Sequence, residues 1–150
     1  MKRSDYDWMQ IALDEAKIAA SVGEVPVGAV LVRGDEEIAR AHNLRETEGM
    51  ATAHAELIAI EAGCRAVGGW RLADCTLYVT LEPCPMCAGA IVNARLPRLV
   101  YAARDPRAGA YGSLLNFNAY PLNHRVEICT GVCADEALLL LQSFFASKRK

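Results

Sequence analysis

The sequence predicts an α/β domain in which helices pack on a mixed sheet. Segments with helical spacing of apolar residues alternate along the chain with short runs of strand character. One of those runs, Thr76-Leu77-Tyr78-Val79-Thr80-Leu81, has the β-branched and aromatic content of a buried strand. The chain's 150 residues, 53% hydrophobic and 23% charged, match one ordinary soluble domain, long enough to bury roughly 70% of the surface its unfolded form exposes. Neither repeats nor linkers interrupt it, so residues 1–150 read as a single domain.

Over residues 5–22, Trp8, Ile11, Ala12, Ile18, Ala19 and Val22 recur at helical intervals, with Ser4 placed to cap the helix and Gly23 to stop it. The apolar run over 27–32, the turn Arg33-Gly34-Asp35-Glu36 and the stretch 38–43 read as a hairpin. An alanine-rich segment from Thr52 to about Val67 predicts a second helix, ended by Gly68-Gly69. The strand over 76–81 closes before Pro83, and Pro85 suits the first position of a helix running to about Ala94. A strand over 98–102, a short strand over 126–128 and a helix over about 135–145 complete the pattern. Between them, residues 103–124 are longer than most connections in a compact domain, which is often a mark of function. Trp8, Tyr101 and Phe144 read as core residues.

The N-terminal stretch turns acidic at Asp5 and Asp7 where a signal peptide would become apolar, and no run of about 18 apolar residues occurs. A cytoplasmic protein without a membrane partner is expected. In that reducing setting the six cysteines bind metal or stay free rather than form disulfides. Net charge is -2, divided as -5 over residues 1–75 and +3 over residues 76–150. Such a balance argues against indiscriminate nucleic-acid binding and leaves room for a localised phosphate-contacting face.

Pro83-Cys84-Pro85-Met86-Cys87 places two thiols three positions apart at a strand-to-helix junction, where helix N-terminal amides favour the thiolate that a metal requires. On its own the pair fits a redox dithiol or two unrelated core cysteines equally well. His54, in Thr52-Ala53-His54-Ala55-Glu56, also stands at a helix start. Two helix N-termini presenting three ligands leave a fourth position open for water, the arrangement of catalytic zinc. Alone, His54 would be an ordinary polar residue near a cap. Glu56, two residues on, is poorly spaced to share a helical face with His54 and need not be a ligand. A carboxylate beside the open position can move protons between zinc-activated water, whose pKa falls to about 7, and a departing amine.

His-x-Glu followed by Pro-Cys-x-x-Cys matches the zinc deaminase signature. The stretches Glu24-Val25-Pro26-Val27-Gly28-Ala29-Val30 and 80–90 around the cysteines, with Ala103-Arg104-Asp105, Gly112-Ser113-Leu114, Asn123-His124-Arg125 and Ser143-Phe144-Phe145, resemble the bacterial tRNA-specific adenosine deaminases in order and spacing across essentially the whole chain. The resemblance implies a three-layer α-β-α cytidine-deaminase-like fold with a central mixed five-stranded sheet. It implies a homodimer with one zinc ion per subunit, acting on wobble adenosine in an arginine tRNA anticodon loop, with the RNA bound partly across the dimer.

Carried over by position, the resemblance makes His54, Cys84 and Cys87 the metal ligands and Glu56 the acid/base group. Asn43 contacts the target nucleoside, Asp105 and Asn123 lie near neighbouring nucleotides, and Phe145 and Arg149 end a helix that approaches the anticodon. The tail, closing at Lys148-Arg149-Lys150, is shorter than in some relatives. Cys129 and Cys133 read as structural, and His42 and His124 as packing or RNA-facing groups, since structural zinc takes four closed ligands. A free nucleobase or nucleoside deaminase, such as a guanine deaminase, shares the core motif and is the alternative. A non-catalytic zinc-stabilised RNA-binding module is a third reading, motivated by the basic second half.

Overall fold

Strands β1 (Gly28–Arg33), β2 (Glu36–His42), β3 (Cys75–Leu81), β4 (Arg98–Ala103) and β5 (Glu127–Thr130) form one sheet in the order β2-β1-β3-β4-β5. The computed structural model describes residues 2–148. β1 pairs antiparallel with β2 and β3, whereas β3, β4 and β5 run parallel, so the sheet is mixed. The helices are α1 (Asp5–Ser21), α2 (Arg45–Glu48), α3 (Ala55–Val67), α4 (Pro85–Asn93) and α5 (Ala134–Lys148).

Successive strand residues point to opposite faces, and both faces are apolar, so each feeds its own core. Ala29, Leu31, Leu77, Val79, Leu99 and Tyr101 meet Ala55, Ala59 and Ile60 of α3 and Ala88 and Ile91 of α4. The intervening Val30, Val32, Tyr78, Val100 and Ala102 meet Trp8, Met9, Ala12 and Leu13 of α1 and Ala137 of α5. The three layers expected from the resemblance are therefore present. Tyr101 and Trp8 are core residues as anticipated; Phe144 is only half-buried, edge-on to Phe145 with Lys148 over its ring.

Local chemistry sets most boundaries where the sequence placed them. Ser4 Oγ accepts from the Asp7 N–H and the Asp7 carboxylate accepts from the Ser4 N–H, a capping box that satisfies two orphan amides of α1. Gly68 takes a left-handed conformation after α3, and Pro85 occupies the first turn of α4. Gly28 lies where α1 crosses β1, and a Cβ there would overlap the Ala12 carbonyl oxygen and stand 2.6 Å from the Ala16 nitrogen.

Beyond shifts of one or two residues at strand ends, three helices differ from expectation. α3 begins at Ala55 rather than Thr52, because the Ala53 carbonyl is taken by the Leu44 N–H and the Ala53 N–H by the Met50 carbonyl, which leaves His54 extended as the N-cap. The short helix α2 falls in a segment with no apolar periodicity. α5 continues past Phe145 to Lys148.

At the far end of the sheet, the Asp5 carboxylate accepts from the Tyr78 hydroxyl at 2.6 Å and from both terminal nitrogens of Arg98 at 3.0 and 2.8 Å. The Arg98 hydrogen bonds hold the Asp5 carboxyl below its ordinary range, with the Tyr78 bond adding to them against the opposing effect of burial.

Two outcomes follow for stability. Gly28→Ala is expected to cost about 1–3 kcal/mol, as overpacking against backbone atoms does, measured by denaturant unfolding. Asp5→Asn is expected to cost about 1 kcal/mol at neutral pH, the size of a partly exposed charge-assisted cluster. Because the folded pKa of Asp5 is lowered, that contribution is complete above the unfolded value of about 3.9 and disappears as pH falls through the folded value. Unfolding curves of the two proteins should therefore converge in acid.

Candidate metal centre and active site

The sheet delivers two helix starts to one place. β3 ends at Leu81 and the chain turns at Glu82-Pro83 to place Cys84 as the N-cap of α4, with Cys87 in its first turn. His54, the N-cap of α3, faces them. Its Nδ1 lies 3.6 Å from Cys84 Sγ and 3.5 Å from Cys87 Sγ, and the three ligand atoms all lie within 4.8 Å of one another. For a tetrahedral ion with ligand bonds of about 2.3 Å to sulfur and 2.0–2.1 Å to nitrogen, the sulfur-to-nitrogen edge is about 3.6 Å. The donor set and its spacing fit zinc, with a fourth corner free of protein ligands from this group.

The electrostatics are those of a site prepared for a cation. The Cys84 thiol is pulled down to about 4, chiefly because the Cys87 thiol donates to it and His54 adds a second hydrogen bond, against the opposing effect of burial. Donating to Cys84 and burial push the Cys87 thiol up. His54 is raised by its bond to the Cys84 thiolate. Glu56 is buried, with 4% of its surface exposed, and burial pushes its carboxyl up to about 7. A divalent ion at the three ligands acts in the opposite direction.

His54, Glu56 and Cys84 floor a pocket of about 190 Å³ bordered by Val27, Asn43, Arg45, Leu81, Asp105 and Ala108. It is smaller than the roughly 300–1,000 Å³ of pockets that enclose a drug-sized ligand and suits a single splayed base. Asn43 is buried at its wall, its Oδ1 accepting from the Arg45 N–H at 3.3 Å. Asp105 borders both this pocket and a larger adjoining groove of about 760 Å³, which also carries Arg104, Arg107, Leu138, Phe145 and Lys148. The structure thus brings Asn43, Asp105 and Phe145 to the same side as the metal group. Asn123 is exposed in the segment before β5 and borders neither cavity; Arg149 lies outside the described residues. His42 Nδ1 is paired with Glu15 at 2.9 Å and His124 Nε2 with the Leu96 carbonyl at 2.6 Å, in keeping with packing roles. All six cysteines are free of disulfides.

Two buried carboxylates, Glu82 at the pocket and Glu24 next in sequence to its lining residue Val25, were not singled out from the sequence. Glu24 is buried and accepts from the Glu46 N–H at 3.1 Å and from the N–H and hydroxyl of Thr47, both at 2.5 Å, thereby capping α2. Burial pushes its carboxyl up, but the Thr47 hydroxyl and the two amides outweigh this and hold it below the usual range. Glu82 is buried likewise and accepts from the Asp105, Tyr111 and Ser113 N–H groups at 3.0, 3.0 and 3.1 Å, and from the Ser113 hydroxyl. Each is a lone carboxylate within two residues of a proline in an otherwise apolar stretch, Glu24-Val25-Pro26-Val27 and Leu81-Glu82-Pro83. That was the available signal.

Sheet order, three-layer packing and the His/Cys/Cys group with a buried glutamate define a deaminase of the cytidine-deaminase-like class, zinc-dependent as a class, and a family model described as MafB19-like deaminase matches residues 3–149. The tRNA-specific adenosine deaminase of Bacillus subtilis (strain 168) is 51% identical over 147 residues, which are 97% of this chain and 91% of that one. A structure solved in a study of A-to-I editing by tRNA:A34 deaminases at the wobble position of transfer RNA superposes with a TM-score of 0.87 at 44% identity, over 89% of this chain and 98% of that one. Similarity to the guanine deaminase of Bacillus subtilis is lower, with 29% identity and a TM-score of 0.67 over 99% of this chain and 96% of that one. The chain belongs to the tRNA-specific adenosine deaminase family.

A metal held by this group predicts that Cys87→Ser binds zinc more weakly by more than the about 10–100-fold typical of losing an outer-shell partner. Metal analysis after dialysis measures it, and undiminished zinc would remove Cys87 from the ligand set.

Proposed function

We propose that this chain is a zinc-dependent hydrolase that converts adenosine to inosine at the wobble position of a tRNA anticodon, releasing ammonia. The observation that carries this reading is the convergence of His54, Cys84, Cys87 and the buried Glu56 on a base-sized pocket. Family membership at 51% identity to a tRNA-specific adenosine deaminase supports the substrate. In finer detail, the reading assigns an arginine tRNA, one zinc ion per chain, a single functional domain, a homodimer and a cytoplasmic setting. Among the described residues no helix is long and apolar enough to cross a membrane.

In this reading His54, Cys84 and Cys87 hold the zinc, which when bound supplies the Lewis acidity that makes water nucleophilic at neutral pH. Glu56 takes a proton from the attacking water and delivers it to the purine ring nitrogen. It then takes the proton of the hydroxyl newly bound to the carbon and passes it to the amino group, so that the carbon–nitrogen bond breaks as the carbonyl forms. The products are inosine and ammonia, and Glu56 ends in its starting state. Burial raises its carboxyl and a bound divalent ion lowers it, opposing effects on the group that serves first as base and then as acid. Asn43 contacts the nucleoside at the pocket wall. Asp105 and Asn123 meet the neighbouring nucleotides, while Phe145 and Arg149 approach the anticodon.

An adenine within a folded loop must leave its stack to enter so small a pocket. Stacking and hydrogen bonds to unpaired bases then give selectivity without a strongly basic protein, in keeping with a net charge of -2.

Incubation with an arginine tRNA anticodon stem-loop, guanine and cytidine in parallel is expected to give inosine in the RNA. Ammonia from guanine with unchanged RNA would contradict the reading. Glu56→Ala is expected to retain zinc while losing about 10²–10⁴ in turnover, the usual worth of a positioned acid/base group. A binding module without activity would show no turnover to lose.

A further inference from the structure

The segment after β4 forms the pocket wall that carries Asp105, and it has almost no apolar anchorage between Arg104 and Gly109. What shapes it is polar. Asp105 Oδ1 accepts from the Arg107 and Ala108 N–H groups at 3.0 and 3.3 Å, and the Gly109 carbonyl accepts from Leu114 and Leu115, both at 2.9 Å. These bonds close the loop on itself without fixing it to the sheet.

Ala110 and Tyr111 anchor the far end of the loop in the core, where the Tyr101 hydroxyl donates to the Tyr111 carbonyl at 3.2 Å, and the attachment nearest Asp105 comes from the turn between β3 and α4. The Ala110 N–H donates to the Pro83 carbonyl at 2.9 Å, and Glu82 accepts four hydrogen bonds from Asp105, Tyr111 and Ser113. A carboxylate offers about four acceptor sites, so its capacity is filled. Three of the four donors are backbone amides, which cannot turn away without moving the loop. Glu82 is itself fixed, since its N–H donates to the Ala103 carbonyl at 2.9 Å. Gly109 packs flat on the carboxylate, and a Cβ there would overlap it.

We infer that Glu82 is a positioning residue for substrate: its carboxylate holds the 105–113 loop, and with it Asp105, at a fixed distance from the metal ligands that the same turn presents. Glu82 precedes Cys84 by two residues, so one short stretch of backbone sets both the chemistry and the wall that aligns the RNA. It acts through the loop and not on the reacting atoms. The inference rests on the deaminase reading for its consequence in catalysis, and on hydrogen bonding alone for its consequence in structure.

Both consequences are measured on the full-length zinc-loaded protein. In Glu82→Gln one carboxylate oxygen becomes an NH₂ facing N–H donors, and in Gly109→Ala the loop is pushed off an intact carboxylate. Both variants should keep zinc and lose hydrogen-exchange protection at the Asp105, Tyr111 and Ser113 amides. With the anticodon stem-loop, KM should rise about ten- to a hundredfold, as expected of a misplaced positioning group, while kcat at saturating RNA stays within about threefold of wild type. Adding Asp105→Ala to Glu82→Gln should raise KM little further, because both changes remove the same contact.

Retained protection of the three amides in Glu82→Gln would overturn the inference, as would a collapse of kcat at unchanged KM. Fully additive effects with Asp105→Ala would also overturn it. Should either variant fold poorly, Ser113→Ala removes one of the four bonds and should shift KM and exchange in the same direction, and no shift in either would count against the inference. A wild-type protein that makes no inosine would defeat the functional reading, while the exchange measurement would still decide whether Glu82 holds the loop.

Discussion

Everything at the active site depends on two helices starting at the same edge of the sheet. α3 and α4 lie on one face, packed against the alternate residues of β1, β3 and β4, and their N-caps are His54 and Cys84. A helix start exposes amides that no internal carbonyl satisfies, which makes it a favourable place for thiolates and for carboxylates. Two starts brought together give a compact set of soft ligands without any long side chain having to bend inward. Moving either start by a residue would turn its ligand away. The bond from the Leu44 N–H to the Ala53 carbonyl and the proline at position 85 help to fix those two starts.

The layer pattern was readable because it rests on local periodicity. Strand residues alternate between two apolar faces, and Ser4, Gly68 and Pro85 mark boundaries by chemistry that acts within a few residues. The metal group was readable because its residue types are rare and its spacings short. What escaped the sequence depends on partners far along the chain. α2 owes its cap to Glu24, some twenty residues earlier, and α3 is delayed by a carbonyl committed to Leu44. Glu82 meets its donors about 30 residues later, in a segment that reads only as a long loop. No window of neighbouring residues contains those interactions.

Charge follows the same division. The basic excess of the second half of the sequence gathers partly around the groove beside the pocket, where Arg104, Arg107 and Lys148 surround Phe145 and Leu138. The acidic excess of the first half includes Glu24, which is spent inside the fold on amides. A net charge near zero therefore conceals a surface with a local preference. Buried acids and exposed bases do not cancel at the surface, because an approaching ion meets the exposed groups first.

The metal centre is the claim on which the others stand, and zinc X-ray absorption on the wild-type protein tests it most directly. One zinc per chain is expected, with two sulfur neighbours at about 2.3 Å and two lighter neighbours at about 2.0–2.1 Å, one of the latter an imidazole. A shell of four sulfurs, or of none, would contradict it.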